Sequence, residues 1–395
     1  MATSSWSRGW SGPSGTRYRS LSASRRMLER SRLRPRPTIA HAPDVDMRAC
    51  WDAVPSWRPR TTVTSAVRGV HVPDVSVIVP TRDRRARLGL TLQSVLWQRS
   101  VDLEIVVVDD GSSDQTAEMI SRIRDQRIRL VRNEVAFGEG GARNRGVEHA
   151  SAPWIAFLDD DDLWAPDKLR RQLDAVSRAG AGWVYAGDVV IDDDLQILHG
   201  ACPPPPQQVV RDLMRHNSVP AGASNVLVDA SLLARVGPFD PELHRTTDWD
   251  MWLRLARVGP PTWVPLPLVA NCAHPASISR DMEVLFAELP LIAERHGVRL
   301  DRARHFRWAA WNSLIEQRRS QALRYYAKAI AAGDAVSIVR ALGAIVLPGY
   351  ARRRIAASPG AAERDPWLHQ ARTWLDALSA LRPDRELPPT DPPSP

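Results

Sequence analysis

Trp154-Ile155-Ala156-Phe157-Leu158-Asp159-Asp160-Asp161-Asp162 is an apolar run that empties into four consecutive carboxylates. Five apolar residues in a row read as a buried strand, of the kind found inside a parallel sheet. Carboxylates at the carboxyl end of such a strand stand where open α/β sheets hold their ligands. Like charges this close raise one another's pKa values, and an oxygen-seeking divalent cation relieves that repulsion while gripping a diphosphate. The plainer use of the same residues is an acidic turn that caps a helix beginning near Pro166, because Asp favours helix starts.

Around this junction, residues 74–186 alternate strand and helix patterns, which predicts a parallel sheet. Val75–Val79 reads as a first strand ended by Pro80, Leu103–Val108 as a second, Arg127–Val131 as a third and Trp154–Leu158 as a fourth. Leu88, Leu92, Val95 and Leu96 fall on one helical face, and Ser113 or Asp114 is placed to cap the helix running through Ile120. Pro80-Thr81-Arg82, Asp109-Asp110-Gly111 and Asp159–Asp162 therefore all follow strand ends on one edge. That convergence suits a nucleotide. Asp109 or Asp110 can accept from a base N–H or a ribose hydroxyl, backbone near Thr81 can meet the base, and Arg143 near a helix start can pair with phosphate. Asp-Gly-Ser is also a common turn, and Arg143 is equally readable as a solvated helix residue. Gly138, Gly140 and Gly141 do not complete G-x-G-x-x-G, and no G-K-[ST] follows, so the dinucleotide and P-loop fingerprints are missing.

Further along, Asp248-Trp249-Asp250-Met251-Trp252-Leu253-Arg254-Leu255 opens a helix whose buried face includes Trp249 and Leu253. Asp250 and Arg254 form an i, i+4 pair that stabilises the helix. Asp248, in the first turn, is freer and can serve as a general base against a hydroxyl, or as a cap.

Composition bounds the answer. The chain has 395 residues, is 44% hydrophobic and carries a formal net charge of +8, enough for a large core and an appendage. The charge looks like a nucleic-acid signal until it is located. Residues 1–70 hold 13 Arg against 4 acidic residues, so the remainder is close to neutral and no nucleic-acid partner is expected. Those first 70 residues lack an apolar period and a signal h-region, and read as a disordered Arg- and Ser-rich segment; residues 381–395 read as a Pro-rich tail. Cys50, Cys202 and Cys272 form neither a metal pair nor a disulfide framework, which points to a cytoplasmic setting. No segment reaches the roughly 18 apolar residues of a membrane span. Ala341–Ala351, flanked by Arg340 and Arg352-Arg353-Arg354, reads as a helix for an anionic membrane surface or as one packed on the domain. Residues 281–380 look helical, with Trp308, Trp311 and Trp374 among their apolar positions.

Val75–Arg82, the Leu103–Thr116 run with its Asp-Asp-Gly-Ser-Ser-Asp, Gly141-Ala-Arg-Asn144, Ile155–Trp164 and the Asp248 helix resemble, in order and spacing, glycosyltransferase family 2 across roughly residues 74–280. The resemblance implies an α/β GT-A fold, a Rossmann-like mixed sheet flanked by helices, here with a helical C-terminal extension. Its domain would span 71–280, with a nucleotide half at 74–185 and an acceptor half at 186–280. It also implies a nucleotide-diphosphate sugar donor, a Mg or Mn cofactor and inversion at the anomeric carbon. By position, Pro80, Thr81, Arg82, Asp109, Asp110, Gly111, Arg143, Asp159 and Asp160 would bind the nucleotide. Asp159 and Asp161 form the D-x-D element, Asp161 or Asp162 would hold the metal, His274 lies where some relatives place a late ligand, and Asp248 would be the catalytic base. Departures are Asp83 where Asn is frequent, Thr247 where an acidic residue often precedes the base, and Arg304 in place of the Gln of Q-x-x-R-W. The last departure favours single transfer over polymerisation, onto a glycan or lipid-linked acceptor in cell-envelope polysaccharide or glycoconjugate synthesis, with peripheral contact at the inner face of the membrane. A nucleotidyltransferase and an inactive sugar-nucleotide binding module are the competing readings.

Overall fold

The computed structural model describes residues 71–273, 282–315, 317–346 and 366–380. His274, the first 70 residues, the Pro-rich tail and the end of the Ala341–Ala351 stretch lie outside them. The elements run β1 (Val75–Thr81), α1 (Arg85–Leu96), β2 (Leu103–Asp109), α2 (Thr116–Ser121), β3 (Ile128–Arg132), α3 (Gly138–Glu148), β4 (Trp154–Phe157), β5 (Leu163–Trp164), α4 (Lys168–Ala179), β6 (Trp183–Ile191) and β7 (Ile197–Ala201). There follow α5 (Pro206–Leu213), a 3₁₀ turn (Gly222–Asn225), β8 (Leu227–Asp229), α6 (Ala230–Val236), α7 (Thr247–Val258) and β9 (Thr262–Cys272). The later helices are α8 (Met282–His296), α9 (Arg302–Ile315), α10 (Arg319–Ala331), α11 (Val336–Val346) and α12 (Pro366–Ala380).

The strands form one sheet in the order β3-β2-β1-β4-β8-β6-β9-β5, with β7 on β6. Its first half is parallel, as the alternating pattern predicts. Beyond β4 the sheet becomes mixed, because β8 runs antiparallel to both β4 and β6 while β9 is parallel to β6. The expected class, a mixed sheet flanked by helices with a helical C-terminal extension, is what the chain forms.

Period-two alternation divides the core between the two faces of the sheet. Val75, Val77, Val79, Ile105 and Val107 pack toward one side, with Leu88, Leu92 and Val95 of α1. Ile78, Val106 and Val108 pack toward the other, with Ala142 and Val147 of α3 and the large rings Trp249 and Trp252 of α7. The helix α12 belongs to the first layer: Trp374 and Leu375 are buried there, and the Trp374 indole N–H donates to Pro267 O at 2.9 Å.

Strand β1 runs two residues beyond its expected end, through Pro80. Ile78 O accepts from Leu158 N, so Pro80, two residues on, faces the same side where β4 has already ended. A proline there forfeits no ladder bond. Neither Ser113 nor Asp114 is the residue flanking α2: Gln115 is, in the left-handed region, while Asp114 Oδ1 accepts from Thr116 N at 3.1 Å.

Helix α3 sits unusually close to the sheet at Gly146. A Cβ there would lie 2.2 Å from Ile78 Cγ2 and 3.2 Å from Val108 Cγ2. Overpacking of this kind costs about 1–3 kcal/mol, so Gly146→Ala should lower the unfolding free energy by that amount, read as a lower midpoint in urea titrations. An unchanged midpoint would show that α3 can lift from the sheet freely.

Candidate active site

The carboxyl ends of β1, β2 and β4 open into a cavity of about 650 Å³. Pro80, Thr81 and Arg82 line it from β1, Asp110 from the β2 turn, Arg143 and Glu139 from α3, and Asp159, Asp160 and Asp161 from the end of β4. Asp248 faces the same space from the first turn of α7. Residues far apart in sequence thus meet where the strand ends predict.

Arg143 is not a solvated helix residue. It is 1% exposed, its Nη2 lies 2.6 Å from Asp159 Oδ1 and pairs also with Glu139, and its guanidinium stands over the Phe239 ring. Its Nε and Nη1 groups are buried without a hydrogen-bond partner, leaving donors available for an anion. Asp110 fixes the start of the helix that carries it. Asp110 Oδ1 accepts from Asn133 Nδ2 at 2.8 Å and Phe137 N at 2.9 Å, and Oδ2 accepts from Gly138 N at 2.9 Å. Asp109 is fully buried and shapes the turn by accepting from Ser112 N at 2.9 Å, and Gly111 adopts φ +80°. Neither of these two lines the cavity.

The four aspartates separate. Asp159, Asp160 and Asp161 line the cavity, whereas Asp162 is 1% exposed and turned toward β9. Its carboxylate accepts from Cys272 N at 3.0 Å and Asn271 Nδ2 at 3.3 Å. Asp162 is therefore corrected from a metal candidate to a clasp between the β4 end and β9. Burial, reinforced by Asp161, pushes the Asp160 carboxyl up to about 7. Among the described residues no three His, Cys, Asp or Glu side chains form a metal-binding group. Asp161 and Asp159 both line the cavity and would be the protein side of any cation site there, since Mg typically takes one or two carboxylates with the rest supplied by substrate phosphates and water. The donor set fits such an ion.

Asp248 is held on both oxygens: Oδ1 accepts from Trp249 N at 2.8 Å and Oδ2 from Asn217 Nδ2 at 3.1 Å. Burial pushes its carboxyl above the ordinary range, opposed by Arg143 and the Trp249 amide. A Cβ on Gly222, which has φ +49°, would sit 2.7 Å from Asp248 Oδ2, so only glycine leaves that oxygen its place. The Glu288 carboxylate, from α8, accepts from the amides of His244, Arg245 and Thr246 and from Thr246 Oγ1, at 2.7–2.9 Å. That carboxylate anchors the segment leading into α7.

The family-2 glycosyl transferase model matches residues 76–221. The UDP-Glc:alpha-D-GlcNAc-diphosphoundecaprenol beta-1,3-glucosyltransferase WfgD of Escherichia coli is 32% identical over 184 residues, 46% of this chain and 70% of that one. The chain belongs to glycosyltransferase family 2. A second Escherichia coli glucosyltransferase of the same printed activity, WfaP, is 28% identical over 47% of this chain and 71% of its own. The solved Staphylococcus aureus TarS 1–349 in complex with UDP-GlcNAc superposes with a TM-score of 0.46 at 18% identity, covering 77% of this chain and 89% of that one.

Several residues of this glycosyltransferase that shape the cavity escape sequence reading. Glu139 is one: burial, partly opposed by Arg143, pushes its carboxyl up to about 7. Asn217, Gly222 and Glu288 act through contacts more than twenty residues away in sequence, and no local pattern marks them. Helix α9 adds Arg304, His305 and Trp308 to the wall, and the His305 ring stacks on Trp249 with centroids 5.9 Å apart.

Asp250, one residue beyond Trp249, pairs with Arg254 as the spacing predicts, and also lies 2.7 Å from His296 Nε2 and 3.2 Å from Arg295 Nη1. Burial alone would push this carboxyl up, but the His296 hydrogen bond and the two arginines outweigh it and hold it well below the ordinary range. A depressed carboxyl contributes stability above its unfolded value and loses it as pH falls toward the folded one. Breaking a buried pair costs about 3–5 kcal/mol. Asp250→Asn should therefore destabilise by that order at neutral pH, and the gap to wild type should narrow on acidification below about pH 4. Denaturant titrations at several pH values check this; a gap that widens in acid would reverse the sign.

Proposed function

We propose that this enzyme transfers a single sugar from a nucleotide-diphosphate donor to an acceptor hydroxyl with inversion, assisted by Mg or Mn. The observation that supports it most is the meeting of Asp248 with Arg143, Asp159 and Asp161 in one cavity. In this reading Pro80, Thr81, Arg82 and Asp110 contribute to the nucleotide side. Asp109 and Gly111 support it from below by shaping the β2 turn, and the free N–H groups of Arg143 receive phosphate. Residues 74–185 serve as the nucleotide half and 186–280 as the acceptor half, with α9 completing the acceptor wall. The named activities of WfgD and WfaP, with GlcNAc-diphosphoundecaprenol as acceptor, make a lipid-linked sugar the acceptor class we favour, in envelope polysaccharide synthesis at the cytoplasmic face of the membrane.

A sugar hydroxyl is a poor nucleophile at neutral pH. Asp248, anchored by Asn217 and the Trp249 amide, is placed to take its proton as oxygen bonds to the anomeric carbon and the bond to the nucleoside diphosphate breaks. Burial makes it a better base than an exposed Asp, since proton transfer is most efficient when the catalytic pKa approaches the working pH. Arg143 meets charge on the departing diphosphate. A cation held by Asp161 and Asp159 would supply further charge neutralisation there. One base and one displacement leave no glycosyl-enzyme intermediate, so the anomeric configuration inverts.

General-base assistance is worth about 10²–10⁴-fold. Asp248→Asn should cut turnover within that range, read as nucleoside diphosphate release, while leaving donor affinity and the melting temperature nearly intact. Normal turnover in that variant would move the base elsewhere, retention of configuration would overturn single displacement, and pyrophosphate release would mean nucleotidyl transfer instead.

Chelation tests the cation separately. Excess EDTA should abolish transfer, with Mn or Mg restoring wild type but not Asp161→Ala, whose donor affinity should also fall. Full activity in EDTA would remove the metal from the mechanism.

A further inference from the structure

Helix α11 is apolar on the side that faces away from the protein. Of the thirteen exposed large hydrophobic side chains among the described residues, six lie on this one helix: Val336, Ile338, Val339, Leu342, Ile345 and Val346, from 46% to 70% exposed. Its inward side is small. Ser337 and Ala344 are buried and Ala341 half-buried, at i, i+4 and i+7, against Leu314 of α9 and Ala322 and Tyr326 of α10. A helix at a water-facing surface normally turns its polar stripe outward, and this one does the reverse.

The charge near it in the sequence is one-sided. From Arg318 to Val346 the sequence holds five cationic residues and one acidic residue, Asp334. The Asp334 carboxylate is already occupied, pairing with Arg307 and accepting from Ser337 Oγ at 2.7 Å. No helix of the described residues is long and apolar enough to cross a membrane. An apolar outward face with an excess of cations close by in sequence is the pattern of a helix lying in the headgroup layer of an anionic leaflet.

We propose that the outward face of α11 docks this enzyme on an anionic lipid surface. The proposal deepens the reading of a lipid-linked acceptor and rests on it for its purpose. The helices connect the two: α11 packs on α10, α10 packs on α9, and α9 carries Arg304, His305 and Trp308 into the cavity wall. Val339 and Leu342 supply apolar insertion, and Arg340 with the neighbouring cations supplies the preference for negative headgroups.

The test is co-sedimentation of the full chain with vesicles of phosphatidylcholine alone or mixed with about one-third phosphatidylglycerol, a composition carrying the negative surface potential that cations sense. Wild type should favour the anionic vesicles and lose affinity as salt rises. The double variant Val339→Ser, Leu342→Ser should bind at least about tenfold more weakly, a tenfold step being a modest energetic loss. Arg340→Gln should weaken binding by about fivefold or less. Both variants replace exposed or half-exposed side chains, and an unchanged circular dichroism spectrum and melting temperature would confirm an intact fold. Asp248→Asn should bind vesicles as wild type does, so the docking result stands whatever becomes of the catalytic assignment. Absence of vesicle binding by wild type would overturn the proposal. So would equal binding by the double variant, which would assign attraction to the Arg-rich first 70 residues instead. A wild-type dimer that the double variant dissociates, without vesicle binding, would make the face an interface between copies and overturn it too.

Discussion

The buried guanidinium of Arg143 is the charge around which this site is organised. A fully desolvated cation is tolerated only when anions and hydrogen-bond acceptors are placed around it, and stripping away one partner typically costs several kcal/mol. Here Glu139 lies one turn earlier on the same helix and Asp159 comes from the end of β4. Glu139 supplies balance within α3, while Asp159 ties that helix to the strand whose end carries the cavity carboxylates. The arrangement propagates backward through Asp110, which fixes the first residues of α3, and so through the turn after β2. The close approach of α3 to β1 at Gly146 completes the clamp. Through Asp159 and Asp110, α3 is thus tied to the ends of β4 and β2.

Asp248 depends on a different set of supports, most of them outside its own segment. Glu288 satisfies the amides ahead of α7, Asn217 orients one oxygen, and Gly222 leaves that oxygen room. The first helix turn would otherwise expose unsatisfied N–H groups, and no side chain of its own flanking residue Thr246 caps it. The acid that serves the segment entering this helix comes from α8. The C-terminal helices are thus part of how the proposed base is held, through Glu288 of α8 and through His305 of α9 stacking on Trp249.

What the sequence made legible follows from the range of each interaction. Strands β1, β2 and β4 and their carboxylate ends were readable because period, Gly turns and apolar runs are local properties. The half-sheet beyond β4 was not, since β8 has only three residues and its antiparallel pairing is decided by contacts with β4 and β6. Within the Asp159–Asp162 run, spacing alone could not say which carboxylate turns inward. The amide of Cys272, more than a hundred residues later, claims Asp162. Arg143 could be placed on a helix but its burial could not be read, because the ring of Phe239 and the end of β4 reach it only in the folded chain.

Asp248 and Asp250 make the distinction between chemistry and support visible on one helix. They are two residues apart, so they point to different sides of α7. Asp250 meets His296, Arg254 and Arg295 and is held well below the ordinary carboxylate range. Asp248 meets amide donors and the cavity, and burial pushes it up. A carboxylate saturated with cationic partners is a poor proton acceptor at neutral pH, whereas one that is desolvated and only partly compensated has the greater affinity for a proton. The helix therefore assigns the two acids opposite tasks without any difference in side-chain type. Asp250 secures the helix against α8, and that fixed helix is what would present the less compensated Asp248 to an acceptor hydroxyl in the proposed reaction.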